Sequence, residues 1–183
     1  GRKYNLFDYS GGKDAKCLII AMGSVSDTIR ETVAYLNAKG EKVGFVNVHL
    51  YRPFSVEHMM KVIPDTVERI AVLDRTKEPG APAEPLYQDV CHAYYSINKP
   101  MFIIGGRYGL ASKDTTPAQI IGVYENLRAE EPKNNFTVGI VDDVTFLSLP
   151  QKEEIDISPA GTVGCKLWGL GSDGTVGANK NTV

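Results

Sequence analysis

Cysteine is scarce in this sequence: Cys17, Cys91 and Cys165 are the three in 183 residues. An odd number with no CxxC pair excludes a disulfide framework, a zinc site and an iron–sulfur ligand set. Cys17 opens an apolar run and reads as a small core residue, and this cysteine usage fits a reduced, cytoplasmic setting. Charge of one sign is also missing. Twenty Lys and Arg against 22 Asp and Glu leave a net charge of -2. No global basic field is available to hold a nucleic acid. No apolar run approaches the roughly 18 residues of a membrane span, and Gly1 to Phe7 lacks the apolar core of a signal peptide. The three histidines, His49, His58 and His92, show neither HxH nor HxxxH spacing, which argues against a metal site. Neither GxSxG nor a thiamine-type GDG segment with a downstream Asn occurs, so the residues contain no complete catalytic set.

What is present is ordinary globular material, with 43% hydrophobic and 23% charged residues. The length suits one well-filled domain that buries about 70% of its unfolded surface and needs no disulfide or metal staple. Lys16 to Gly23 is a short apolar run of the kind buried on both faces of a parallel sheet. Ser24, with Asp27 three residues on, resembles a capping box. Val25, Ile29, Val33 and Leu36 then recur at helical spacing until Gly40. The alternation repeats. Strands are expected at 43–48, 69–74, 101–104 and 136–140, with helices at 55–63, 85–96 and 116–129. This spacing predicts a three-layer αβα sandwich on a mainly parallel, five-stranded sheet with right-handed crossovers.

The expected organisation is an incoming linker at 1–15, an α/β domain at 16–141, a second linker at 142–160 and the opening of a further domain at 161–183. In that last segment Thr162 to Trp168 reads as a strand. Gly169, Gly171 and Gly174 follow as G-x-G-x-x-G, leading into a helix. Glycines there let backbone N–H groups approach a phosphate, and Lys180 supplies a point charge; a tight turn with no ligand is the alternative. A complete βαβ unit needs about 30 residues, so the unit is only begun.

Two further loops lie just past strands, at the carboxyl edge where ligands and partners of α/β sheets dock. Asp74 to Gly80 offers Asp74, Arg75, Lys77 and Glu78. Gly105 to Asp114 offers Arg107 and Lys113. Each binds an anion, pairs across an interface or is a solvated or packing loop.

Four motifs carry a resemblance. Leu50-Tyr51-Arg52-Pro53-Phe54, Leu73 to Gly80, Gly105 to Asp114 and Gly169 to Lys180 resemble pyruvate:ferredoxin (flavodoxin) oxidoreductases over nearly the whole chain. The resemblance implies a domain like the C-terminal domain of transketolase, plus the start of the next domain. It also implies a parent enzyme that is a large multidomain homodimer. That parent oxidatively decarboxylates pyruvate with coenzyme A to acetyl-CoA. It uses thiamine diphosphate, Mg2+ and 4Fe–4S clusters, and passes electrons to ferredoxin or flavodoxin. None of the family's thiamine or cluster residues maps here, so this chain alone is expected to be inactive. The following domain of the family is implicated in coenzyme A binding. Gly171, Ser172, Gly174, Thr175, Asn179 and Lys180 are therefore the candidates for its pyrophosphate. The resemblance further implies that Asp74, Arg75, Lys77, Glu78, Arg107 and Lys113 face other domains. Two other readings remain: a free-standing module for a phosphate-bearing ligand, and the same domain of another 2-oxoacid oxidoreductase.

Overall fold

A computed structural model describes residues 4–150, 152–159, 161–169, 172 and 174–181. Its strands are β1 (Phe7–Gly11), β2 (Cys17–Ala21), β3 (Val43–Val48), β4 (Arg69–Asp74), β5 (Phe102–Arg107) and β6 (Phe136–Thr137). Its helices are α1 (Ser26–Ala38), α2 (Val56–Val62), α3 (Pro85–Ser96), α4 (Pro117–Arg128) and α5 (Thr175–Lys180), with a 3-10 turn at Leu110–Ser112. The strand order is β1-β3-β2-β4-β5-β6. β2 to β6 run parallel and β1 is antiparallel to β3.

The central strands are apolar throughout because both faces are covered. Side chains alternate along β2. Cys17, Ile19 and Ala21 enter one core with Ile29, Val33 and Leu36 of α1 and Ile120, Val123 and Leu127 of α4. Leu18 and Ile20 enter the other with Met59 of α2 and Leu86, Val90 and Ala93 of α3. The register places Ile19 beside Phe45 of β3 and Ala71 of β4, so one layer continues across three strands. The expected αβα sandwich with five parallel strands is present, and an antiparallel edge strand is added to it.

That added strand lies in the segment expected to be a linker. Residues 7–11 pair with β3 from Phe7↔Val48 to Gly11↔Gly44. Phe7 is 1% exposed and meets the ring of Phe54 edge-on at 5.7 Å. An edge strand needs only one apolar face, and the polar residues of Phe7-Asp8-Tyr9-Ser10-Gly11 hide it. A Cβ on Gly44 would sit 2.6 Å from the Tyr9 hydroxyl, so the missing side chain is what lets Tyr9 lie against β3.

Four other expectations are corrected. Ser24 does not cap α1. The preceding position is Val25, with no side-chain cap, because the Ser24 hydroxyl accepts a bond from Arg75 instead. The last strand ends at Thr137 rather than 140, since Gly139 turns the chain at a φ of 73°. No strand forms among the described residues of 161–169, where no ladder partner is available to satisfy the backbone. The expected second linker also returns to the sheet edge. Leu149 is buried, its N–H donates to the Thr137 carbonyl at 3.0 Å, and Ser148 bridges to Thr137.

Candidate functional site at the carboxyl edge

β2 and β4 are neighbours whose chains depart in opposite senses. β2 leads through α1 to β3 on one side, and β4 leads through α3 to β5 on the other. α1 covers one face of the sheet and α3 the other. Such a reversal opens a crevice at the carboxyl ends of the two strands. Here the crevice has a volume of about 380 Å³, bounded by Ser24 and Thr28 on one wall, Tyr108 and Gly109 on the other, and Arg75 between them.

Arg75 ties the walls together. Its Nη1 donates to the Ser24 hydroxyl at 2.9 Å and its Nε to the Gly109 carbonyl at 3.3 Å. Gly109 holds a φ of 62°, and a Cβ there would meet Arg75 Nε at 3.0 Å. Below, the Tyr108 hydroxyl donates to the Met22 carbonyl at 2.8 Å, and burial pushes that phenol up in pKa. Ala111 and Ser112, with φ of 54° and 56°, complete a left-handed rim.

Asp74, the last residue of β4, is buried and points into its own domain. Its carboxylate accepts the N–H groups of Leu86 at 3.0 Å and Tyr87 at 3.1 Å, and so supplies the start of α3 with the cap that Glu84 does not provide. Burial raises the Asp74 pKa, against the lowering effect of those two bonds. Arg107 is likewise buried, between Glu84 at 3.3 Å and the Asn135 carbonyl at 2.7 Å. It helps to line a second recess of about 260 Å³ with Lys77 and Glu78 at its mouth. Arg107 was expected on a loop, but β5 continues through Gly105 and Gly106 to include it; of the six charges named from sequence, Asp74, Arg75 and Arg107 therefore have partners within the domain. Lys77, Glu78 and Lys113 are exposed.

A third group went unassigned in the sequence. Past β3, the Tyr51 hydroxyl donates to Asp89 at 2.7 Å, and Arg52 pairs with the same carboxylate at 2.7 Å while lying 3.8 Å over the Tyr51 ring. Burial, then the Asp89 contact, push the Tyr51 phenol up to about 12. Glu84 and Asp89 also escaped notice, and Ser24 was read only as a helix cap, because each acts through a contact distant in sequence. Their common signal is position, at or near the strand-to-helix connections on the carboxyl edge.

The glycine segment stands apart from this edge. Gly171 lies outside the described residues. Gly174, with a φ of 80°, precedes the six-residue α5, which carries Thr175, Asn179 and Lys180. Ser172 has a φ of 56° and is exposed, and Trp168 is 80% exposed. Among the described residues no three His, Cys, Asp or Glu side chains gather to hold a metal. Cys17 is buried, Cys91 half-buried and Cys165 exposed, on separate segments, so they do not fit an iron–sulfur cluster. No described helix is long and apolar enough to cross a membrane.

The pyruvate-flavodoxin oxidoreductase of Enterobacter agglomerans is 61% identical over the whole chain, which spans 16% of that protein. The pyruvate:ferredoxin oxidoreductase of Moorella thermoacetica is 58% identical, again over the whole chain and 16% of its own length. Among solved structures, the 2-oxoglutarate:ferredoxin oxidoreductase of Magnetococcus marinus aligns with 67% of the chain and 19% of its own, at a TM-score of 0.48 and 20% identity. Residues 15–120 match the family described as pyruvate:ferredoxin oxidoreductase core domain II. They begin just before β2 and end within α4, taking in the parallel strands β2 to β5 and the crevice but not β6, and the chain belongs to that family.

Proposed function

We infer that the chain serves as a non-catalytic, organising domain of a pyruvate:ferredoxin or pyruvate:flavodoxin oxidoreductase. The observation that carries this reading is the 61% identity over the full chain to an oxidoreductase of which the chain spans 16%. In this reading other parts of the parent supply thiamine diphosphate, Mg2+ and the 4Fe–4S clusters, and the parent is a cytoplasmic homodimer that passes electrons to ferredoxin or flavodoxin. The exposed Lys77, Glu78 and Lys113 contact neighbouring domains, while Asp74, Arg75 and Arg107 stiffen the loops that present them. The segment bearing Gly171, Ser172, Gly174, Thr175, Asn179 and Lys180 contributes to a coenzyme A pyrophosphate contact.

The gene should be followed past both ends of the chain and its product assayed for coenzyme A-dependent pyruvate oxidation with ferredoxin or flavodoxin. The long product is expected to be active and the chain alone inactive. Pyruvate oxidation by the chain alone would overturn the reading. For the coenzyme A contact, Lys180→Ala and Gly174→Val in the long enzyme should each raise the Kd for coenzyme A. Unchanged affinity in both would remove that assignment.

A further inference from the structure

Arg75 and Arg69 are the two described arginines that hold no carboxylate, and Arg75 is the one that lines the crevice. Arg30, Arg52 and Arg128 each hold a carboxylate, as does the buried Arg107, and Arg69 donates to the carbonyls of Leu127 and Ala129. Arg75 is held by a hydroxyl and a carbonyl, both neutral, so its position is set while its charge is left uncompensated. Its Nη2 has no hydrogen-bond partner among the described residues, and neither does the ammonium of Lys113 on the same crevice. Hydroxyls surround them: Ser24 and Thr28 on one wall, Ser112 and Thr115 on the other.

The geometry points to an oxyanion site in this crevice, for a phosphate or pyrophosphate group. Two cations and four hydroxyls match the many acceptor oxygens of such a group, and charge-assisted bonds from a fixed guanidinium are the stronger kind. Val25 and Thr28 bring the opening turn of α1 to the wall, and the positive end of a thirteen-residue helix favours the same charge. Asp114 lies on the rim and Asp27 in that first turn, but Asp27 is held by Arg30 at 2.6 Å. Counting Arg75, Lys113 and Asp114, the lining keeps one net positive charge. The crevice is larger than a lone phosphate needs, so the phosphate has room for the body that carries it. This site is separate from the glycine segment and does not depend on the parent enzyme's activity.

Amide-resolved NMR of the 183-residue chain at constant ionic strength tests the proposal, with inorganic phosphate, pyrophosphate and a nucleoside diphosphate as probes. Pyrophosphate is expected to give saturable shifts at Ser24, Arg75, Gly109 and Thr115. Arg75→Gln and Lys113→Ala should each weaken its Kd by about fivefold or more, the scale of one charge-assisted contact, while Lys61→Ala on α2 leaves it unchanged. A nucleoside diphosphate that binds more tightly than pyrophosphate identifies a phosphate carried on a nucleoside. Equal affinities identify the anion alone. Shifts that never saturate, shifts confined to 172–180, or a Kd unmoved in a well-dispersed Arg75→Gln spectrum would overturn the site.

Discussion

Arg107 and Glu84 form an ion pair whose side chains expose only 10% and 5% of their surface, with Nη1 and Oε1 3.3 Å apart. The pair joins the end of β5 to the start of α3, so the two loops past β4 and β5 are held as one unit. A buried pair adds little net stability, yet breaking it leaves a charge stranded in low dielectric. Glu84→Ala should cost about 3–5 kcal/mol in urea unfolding. Replacing both residues with Leu and Met should cost clearly less than the single change. A double variant as unstable as Glu84→Ala would contradict this account.

The Asp74 carboxyl has a definite pH signature. Its folded pKa is raised above the ordinary 3.8, chiefly by burial. A group of this kind contributes stability that is fully present below its unfolded pKa and is lost as pH rises through the folded value. Wild type should therefore lose stability relative to Asp74→Asn as pH climbs from about 3 through the raised value, and the difference should then level off. Urea midpoints of the two proteins across that range give the answer. A difference that grows in favour of wild type with rising pH would be the opposite sign.

The two expected helix starts behave differently and can be compared directly. At α4 a full capping box is present: the Thr116 hydroxyl accepts the Gln119 N–H at 3.4 Å, and the Gln119 side chain accepts the Thr116 N–H at 3.2 Å. Thr116→Ala should cost about 0.5–2 kcal/mol. Ser24→Ala removes no helix cap and should stay within about 0.5 kcal/mol, the scale of a surface change. Chemical denaturation of both variants separates them, and equal losses would restore Ser24 as a cap.

Gly106 marks where β5 passes β6. A Cβ there would lie 2.2 Å from a ring carbon of Phe136, which is fully buried and has nowhere to retreat. Gly106→Ala should destabilise the fold by about 1–3 kcal/mol through overpacking. Phe136→Leu in the Gly106→Ala background should recover part of that loss. Thermal midpoints of wild type and the two variants decide it, and a Gly106→Ala protein as stable as wild type would show that β6 yields.

Much of the architecture was legible. The apolar runs at 17–21, 43–48 and 69–74 announce strands covered on both faces, and Pro85 and Thr116-Pro117 mark helix starts correctly. β1 was not, because an edge strand with one half-polar face carries the composition of a linker and acquires its identity only from β3. Ser24 was misread for a related reason. A hydroxyl before a helix signals a cap until an arginine 51 residues away takes it. The loop charges were located from sequence, but which of them turn inward was not.

The periodicity of apolar residues, by itself, determined the αβα layers and the edge of the sheet where loops gather, because burial of one helical stripe or both strand faces leaves a local pattern. Tertiary structure alone decided the rest: that Asp74 caps α3, that Glu84 meets Arg107, and that Arg75 spans a crevice without a carboxylate partner. Those contacts join residues from separate strands and loops, and their energy depends on burial and on the nearest opposite charge. Neither quantity is written in the neighbouring sequence.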